Sequence, residues 1–282
     1  MTTAFVFAGG GSLGAVEVGM LQALVERGEH ADVIVGASAG AINGAYFAAD
    51  PCADAVGRLA GIWRGLKRSH VFPFDVRSVL GLFRRRDYLV GAHGLRALLE
   101  RHLPYRQLEE ARVPMHVIAT ELVSGDEVVL SSGPVIDAVL ASAAIPGVFP
   151  SVILGGRELV DGGICNNTPI SAAVALGADR VLVLPTGFAC AIKRVPDNPI
   201  GKALHSLNLL VARQLVRDIE HYRDSVRLHV VPPLCPLEAS PYDYDACSTL
   251  IERAHANTRN WIAAGGLESC DADPGPLVFH RH

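Results

Sequence analysis

The chain has 282 residues, carries 25 Lys and Arg against 29 Asp and Glu for a net charge of −4, and is 50% hydrophobic. That apolar content fits a globular chain with one large core, or two domains, and excludes a disordered one. The acidic balance gives no reason to expect nucleic acid as a partner.

Phe5-Val6-Phe7-Ala8 reads as a short buried strand, and Ala15 to Glu26 as a helix with an apolar face from Val16, Met20, Leu21, Leu24 and Val25. Between them lies Gly9-Gly10-Gly11-Ser12-Leu13-Gly14. A glycine loop entering a helix presents free backbone N–H groups, which suit a phosphate or the oxyanion of acyl transfer. The letters Gly9-x-Gly11-x-x-Gly14 satisfy the dinucleotide fingerprint. That fingerprint also wants an acid at the far end of the second strand. Asp32 sits before the second strand, Val33-Ile34-Val35, at the wrong end. No Gly-Lys-Ser/Thr ending marks a P-loop, so the oxyanion reading is favoured.

Gly36-Ala37-Ser38-Ala39-Gly40 follows that strand and precedes a helix-like run, Ala41 to Phe47. Strand, Gly-x-Ser-x-Gly, helix is the setting of a nucleophile elbow. Gly36 and Gly40 avoid clashes in a sharp turn, and Ser38 is lifted to the positive end of a helix. The alternative is an ordinary turn with a serine N-cap.

Further along, Asp54 to Leu66 and Gly94 to His102 read as helices. Between them, Val71-Phe72-Pro73-Phe74 and Val79 to Arg86 set apolar residues beside three arginines. The stretch reads as a buried turn and a helix with a solvated basic end; a mobile cap or a surface meeting lipid headgroups is the other reading. Met115 to Thr120 forms a hairpin with Val128-Val129-Leu130, and Pro134 to Ala143 is helical. Arg157 to Val160 leads into Asp161-Gly162-Gly163, which taken alone is a simple Asp-Gly turn. Val181 to Leu184 is a buried strand, Thr186 to Pro199 a loop, Gly201 to Tyr222 a helix, Val226 to Val231 a strand and Thr249 to Ala263 a helix. His205, His221, His229 and His255 read as surface or capping residues. The alternation predicts a three-layer α/β/α sandwich with a mainly parallel central sheet. One domain over residues 1–282 is expected, with its motifs within 3–185 and an extension over 200–265.

The histidines and cysteines show no His-Glu-x-x-His or Cys-x-x-Cys spacing, so neither a metal nor another cofactor is expected. Cys52, Cys165, Cys190, Cys235, Cys247 and Cys270 are unpatterned, as in a reduced cytosolic protein. Cys165, beside Asp161, reads as a buried inert thiol. The start of the chain lacks a basic segment, and its apolar run breaks at Gly9, so no signal peptide is read. No run reaches the ~20 apolar residues of a membrane span. The cytoplasm is the expected location, with surface contact to membranes left open.

Together, the Gly9–Gly14 loop, Gly36-Ala37-Ser38-Ala39-Gly40, Asp161-Gly162-Gly163 and the stretch Ala141 to Pro150 resemble the patatin-like phospholipase family in order and context. The resemblance covers Thr3 to Pro185. It implies a lipid acyl hydrolase of phospholipase A or lysophospholipase type, with a lipid or fatty-acyl ester as substrate. Ser38 is then the nucleophile and Asp161 the proton acceptor, without a histidine. Gly9, Gly10 and Gly11 form the oxyanion hole, with Gly9 shaping the loop, and Gly36, Gly40, Gly162 and Gly163 support the site. An ordinary carboxylate is a poor base for serine, so Asp161 must be desolvated or held close to Ser38. Composition offers Ile145, Val148, Phe149 and the Phe72–Phe83 region for an acyl groove. The family often carries Lys or Arg where this chain has Leu13. The alternatives are an α/β-hydrolase esterase with a Ser-Asp-His triad, and a non-catalytic lipid- or nucleotide-binding protein on this fold.

Overall fold

The computed structural model describes residues 1–72, 88–187, 197, 199–237, 239–269 and 277. Eight strands form one sheet: β1 (Thr3–Phe7), β2 (Val33–Ala37), β3 (Met115–Glu121), β4 (Glu127–Leu130), β5 (Val152–Leu154), β6 (Arg157–Asp161), β7 (Arg180–Leu184) and β8 (Arg227–Val230). Their order is β5-β6-β3-β2-β1-β7-β8, with β4 also beside β3. The run β3-β2-β1-β7-β8 is parallel throughout, whereas β4 and β6 run antiparallel to β3. The expected mixed α/β fold with a mainly parallel sheet is therefore what the chain adopts.

Ten α-helices are described: α1 (Gly14–Glu26), α2 (Ala39–Ala49), α3 (Ala53–Gly65), α4 (Arg68–Val71), α5 (His93–His102), α6 (Val135–Ser142), α7 (Gly163–Asn166), α8 (Ile170–Ala175), α9 (Pro199–Tyr222) and α10 (Cys247–Ala263). Parallel strands covered on both faces read as near-continuous apolar runs, and Ala4 to Phe7, Val33 to Val35 and Val181 to Leu184 are such runs, buried throughout. Phe5, Phe7, Ile34, Leu182 and Leu184 point into the larger core, under α1, α2, α3, α5 and α10. Their neighbours Ala4, Val6, Val35, Val181 and Val183 point into a smaller core, under α8 and α9.

Helix α1 differs from an amphipathic surface helix. Glu17 is fully buried alongside the apolar residues around it. Asn43 on α2 donates to its carboxylate at 2.8 Å, while α10 packs across α1 at Gly19. A Cβ at Gly19 would lie 2.2 Å from the Ile251 carbonyl oxygen, so this glycine lets the two backbones approach. His229, read as a surface or capping residue, is buried on β8, and burial lowers its pKa. The apolar and basic residues Val79 to Arg86, together with Phe74, Cys190 and Cys270, lie outside the described residues, as does most of the loop between Thr186 and Pro199. Among the described residues, no helix is long and apolar enough to cross a membrane.

Candidate active site

Strand β2 ends at Ala37 and α2 begins at Ala39, which leaves Ser38 as the whole of the turn. Its φ of 52° and ψ of −120° make it the one non-glycine residue with positive φ among those described. Such a conformation costs about 1–3 kcal/mol and persists only where its surroundings impose it. Here the Ser38 N–H donates to Ser142 Oγ at 2.8 Å, and the Ser38 carbonyl accepts from the Ala41 and Ile42 amides. A Cβ at Gly40 would sit 2.4 Å from the Phe7 carbonyl oxygen, and one at Gly36 2.6 Å from the Gly40 carbonyl oxygen. The elbow closes because both positions lack a side chain.

Asp161 is the last residue of β6, and β3 sets its distance from the elbow. Ala37 registers with Ile118, while Asp161 registers with Ala119, the next residue along. Ser38 Oγ accordingly donates to Asp161 Oδ2 at 2.8 Å. The Gly163 amide donates to Oδ1 at 2.8 Å, and Thr120 Oγ1 donates to the Asp161 carbonyl at 2.8 Å. Gly162 is pressed against β3: its Cβ would lie 2.1 Å from the Ile118 carbonyl oxygen. Burial pushes the Asp161 carboxyl up to about 6, against the opposing pull of the Ser38 and Gly163 hydrogen bonds. Among the described residues, no histidine hydrogen-bonds Ser38 or Asp161.

The glycine loop lies beside this pair, and its amides divide into two kinds. The Gly9 N–H donates to the Asn167 carbonyl at 2.9 Å, and the Ser12 N–H to the Pro241 carbonyl at 2.8 Å. No described residue accepts from the N–H of Gly10 or Gly11. Gly9 is held a second time through its own carbonyl, which accepts from Thr186 Oγ1 at 2.8 Å and from Asn167 Nδ2 at 3.2 Å. Leu13 points away into the larger core, 1% exposed.

Two cavities meet at Ser38. One encloses about 810 Å³, part of it open to solvent, between α2, α3 and α5. Ile42, Leu59, Trp63, Phe72, Leu99 and Phe149 are among its walls. The second, about 590 Å³, runs along Gly9, Gly10, Gly11 and Asp161 toward Asn208 and Tyr242. Phe72, Ile145 and Phe149 line the first cavity as composition predicts. Val148 is not among its walls, and α3 and α5 supply most of the remainder. Phe72 stacks on Phe149 with ring centres 5.2 Å apart.

Sequence reasoning missed four residues of this site: Ser142, Asn167, Thr186 and Tyr242. Ser142 lies inside the stretch Ala141 to Pro150 and Asn167 four residues after Asp161-Gly162-Gly163, but nothing in their spacing shows where their side chains bond. Cys165 is half-buried beside Thr120, and burial raises its thiol pKa, which suits an inert role.

The fold and site define an α/β protein with a strained serine at a strand-to-helix turn, bonded directly to a buried carboxylate. The chain belongs to the patatin-like phospholipase family, whose sequence pattern matches residues 5–174. It is 30% identical over 186 residues to patatin-like phospholipase domain-containing protein 7 of Rattus norvegicus, a match covering 65% of this chain and 13% of that protein. It is 34% identical over 171 residues to an uncharacterised NTE family protein of Mycobacterium tuberculosis, covering 60% of this chain and 28% of that one. The chain thus spans well under a third of the length of these relatives. Among solved structures, VipD from Legionella pneumophila is similar with a TM-score of 0.48 at 16% identity, over 95% of this chain and 66% of that one.

Proposed function

We propose that the protein hydrolyses carboxylic esters of lipids through a Ser38–Asp161 dyad. Family membership supports lipid-ester hydrolysis as the class of reaction. The observation that carries the mechanism is the 2.8 Å hydrogen bond from Ser38 Oγ to Asp161 Oδ2 at the mouth of an apolar cavity.

Ser38 Oγ attacks the ester carbonyl carbon while its proton passes to Asp161 Oδ2. Burial makes Asp161 a stronger base than an ordinary carboxylate, and the Gly163 amide keeps it aimed. The carbonyl oxygen becomes an oxyanion, and the unspent N–H groups of Gly10 and Gly11 are the donors placed for it. Gly9 is a tether of the loop rather than a donor, because its N–H is already bonded to Asn167. The alcohol departs with the proton from Asp161, leaving an acyl-serine. Asp161 then takes a proton from water, whose oxygen attacks the acyl carbon; the bond from that carbon to Ser38 Oγ breaks, Asp161 returns the proton to Oγ, and the carboxylic acid leaves. The cavity between α2, α3 and α5 holds the acyl chain; its walls are largely apolar and aromatic side chains, as is usual for small-ligand pockets. The reaction needs no metal or other cofactor, and the lipid would be met at a membrane surface by a cytoplasmic protein.

The test is hydrolysis of nitrophenyl esters of increasing acyl length by wild type and by Ser38→Ala. Cleavage that favours longer chains and disappears in the variant supports the reading. An inert wild type, or an equally active variant, overturns it.

A further inference from the structure

We propose that Tyr242 is a further catalytic residue, whose hydroxyl donates a hydrogen bond to the ester's leaving-group oxygen as the alcohol departs; this rests on the ester-hydrolase reading above. Tyr242 lies between β8 and α10, outside the residues that match the family pattern. It nonetheless lines the second cavity together with Gly10, Gly11, Ser38 and Asp161.

The segment carrying Tyr242 is fastened to the glycine loop. The Ser12 N–H donates to the Pro241 carbonyl at 2.8 Å, and Ser12 Oγ to the Ser240 carbonyl at 3.1 Å. The contact is close enough that a Cβ on Gly11 would lie 2.5 Å from the Pro241 carbonyl oxygen. The Tyr242 N–H in turn donates to Ser240 Oγ at 3.3 Å. The ring packs edge-on against Phe72, with centres 6.4 Å apart. Backbone and ring are therefore fixed relative to the two unspent amides before substrate arrives, which is the condition for a useful catalytic donor.

The hydroxyl is the one part of this side chain left unengaged: no described residue hydrogen-bonds it. Burial and the nearby charge of Asp161 push the phenol up to about 12, so it stays protonated and acts as a donor. The reaction has a use for such a donor. The Gly10 and Gly11 amides serve the carbonyl oxygen, and the Asp161 oxygens are engaged by Ser38 and Gly163. When the bond between the acyl carbon and the alcohol oxygen breaks, its electron pair goes to that oxygen. The oxygen takes the proton that Asp161 received from Ser38. Tyr242 keeps its own proton throughout and lowers the cost of the transient charge.

The experiment compares wild type with Tyr242→Phe, which removes the hydroxyl and keeps the ring. Two esters share one acyl chain: a nitrophenyl ester, whose alcohol departs readily, and a glyceryl ester, whose alcohol departs poorly. The readout is kcat/KM, which contains the acylation step. The expected result is a loss of roughly 10- to 100-fold on the glyceryl ester and about twofold or less on the nitrophenyl ester. Across a series of substituted phenyl esters, the rate should depend more steeply on the leaving group in the variant. Equal losses on both esters would assign Tyr242 to packing and overturn the proposal, as would no loss on either. A wild type inert on both esters overturns the ester-hydrolase reading itself, and this proposal with it.

Discussion

Asn167 grips Gly9 on both of its polar groups: the Asn167 carbonyl accepts from the Gly9 N–H at 2.9 Å, and the Asn167 side chain donates to the Gly9 carbonyl at 3.2 Å. Asn167 lies just after α7, close to Asp161 in sequence. One short segment therefore positions both the carboxylate and the amide loop. Asn167→Ala keeps the backbone bond and loses the side-chain one, worth about 0.5–1.5 kcal/mol. The loop then samples conformations in which its free amides miss the oxyanion. We expect kcat for a short-chain ester to fall about tenfold, with KM changed much less. Unaltered kcat in a folded variant would show that the loop does not depend on this grip.

With Asp161 as the proposed proton acceptor, the pH dependence of activity follows from its titration. A proton acceptor must be ionised in the free enzyme, and burial places this carboxyl at about 6. Below that pH the protonated form predominates and cannot receive the Ser38 proton. The profile of kcat/KM should therefore show an acid limb with an apparent pKa near 6, falling tenfold per pH unit beneath it. Asp218 on α9 is also raised by burial to about 6, but it lines neither cavity. Asp218→Asn should leave the limb in place. If that substitution removes the limb, the titration has been assigned to the wrong carboxylate.

The parts of this molecule legible in its sequence are those that depend on local chemistry. Gly36 and Gly40 stand where a Cβ would meet backbone oxygen within three ångströms, and no residue but glycine fits such a place. The long strands and helices carry their periodicity openly, so β1, β2, β7, α9 and α10 were readable within a few residues. Strand β5, with 3 residues, and helices α4 and α7, with 4 each, are too short to carry any period. They exist because tertiary contacts hold them. The burial of Glu17 has no local signal either, since its partner Asn43 lies on α2, in a separate stretch of the chain. Tyr242 reaches the site through a fold-back of the chain onto Ser12, and no local pattern announces that.

Glu17 makes the stability of the protein depend on pH. Its carboxyl is fully buried, and burial raises its pKa well above 4.5, despite the hydrogen bond from Asn43 Nδ2 at 2.8 Å. Asn43 Oδ1 in turn accepts from Trp63 Nε1 at 2.8 Å, which ties the carboxyl to a wall of the apolar cavity. Above pH 4.5 the unfolded chain releases the Glu17 proton while the folded chain retains it. Stability is therefore fully present below that pH and declines as pH rises toward the folded pKa. Asp161 adds a decline of the same sign between 3.8 and about 6. Glu17→Gln keeps an acceptor for Asn43 and has no proton to lose. Urea midpoints at about pH 5 and about pH 8 should differ less in the variant than in wild type. An unchanged difference would mean that Glu17 is ionised in the folded protein.

The last expectation concerns the length of the acyl chain. Leu98 on α5 is half-buried and lines the cavity between α2, α3 and α5. Because it borders empty space, a larger side chain there can grow into the cavity rather than into packed core. Leu98→Trp should shorten the room for the chain and leave Ser38, Asp161 and the glycine loop untouched. Each buried methylene contributes about 0.8 kcal/mol, so excluding two of them costs about 1.6 kcal/mol, or roughly fifteenfold in rate. We expect kcat/KM for a nitrophenyl ester of about ten carbons to drop by that factor while an acetyl ester is hydrolysed as by wild type. The chain-length preference would then shift toward shorter esters. A uniform loss across all lengths would instead place the acyl chain elsewhere, and the second cavity, along Gly10 and Tyr242, would be the one to fill next.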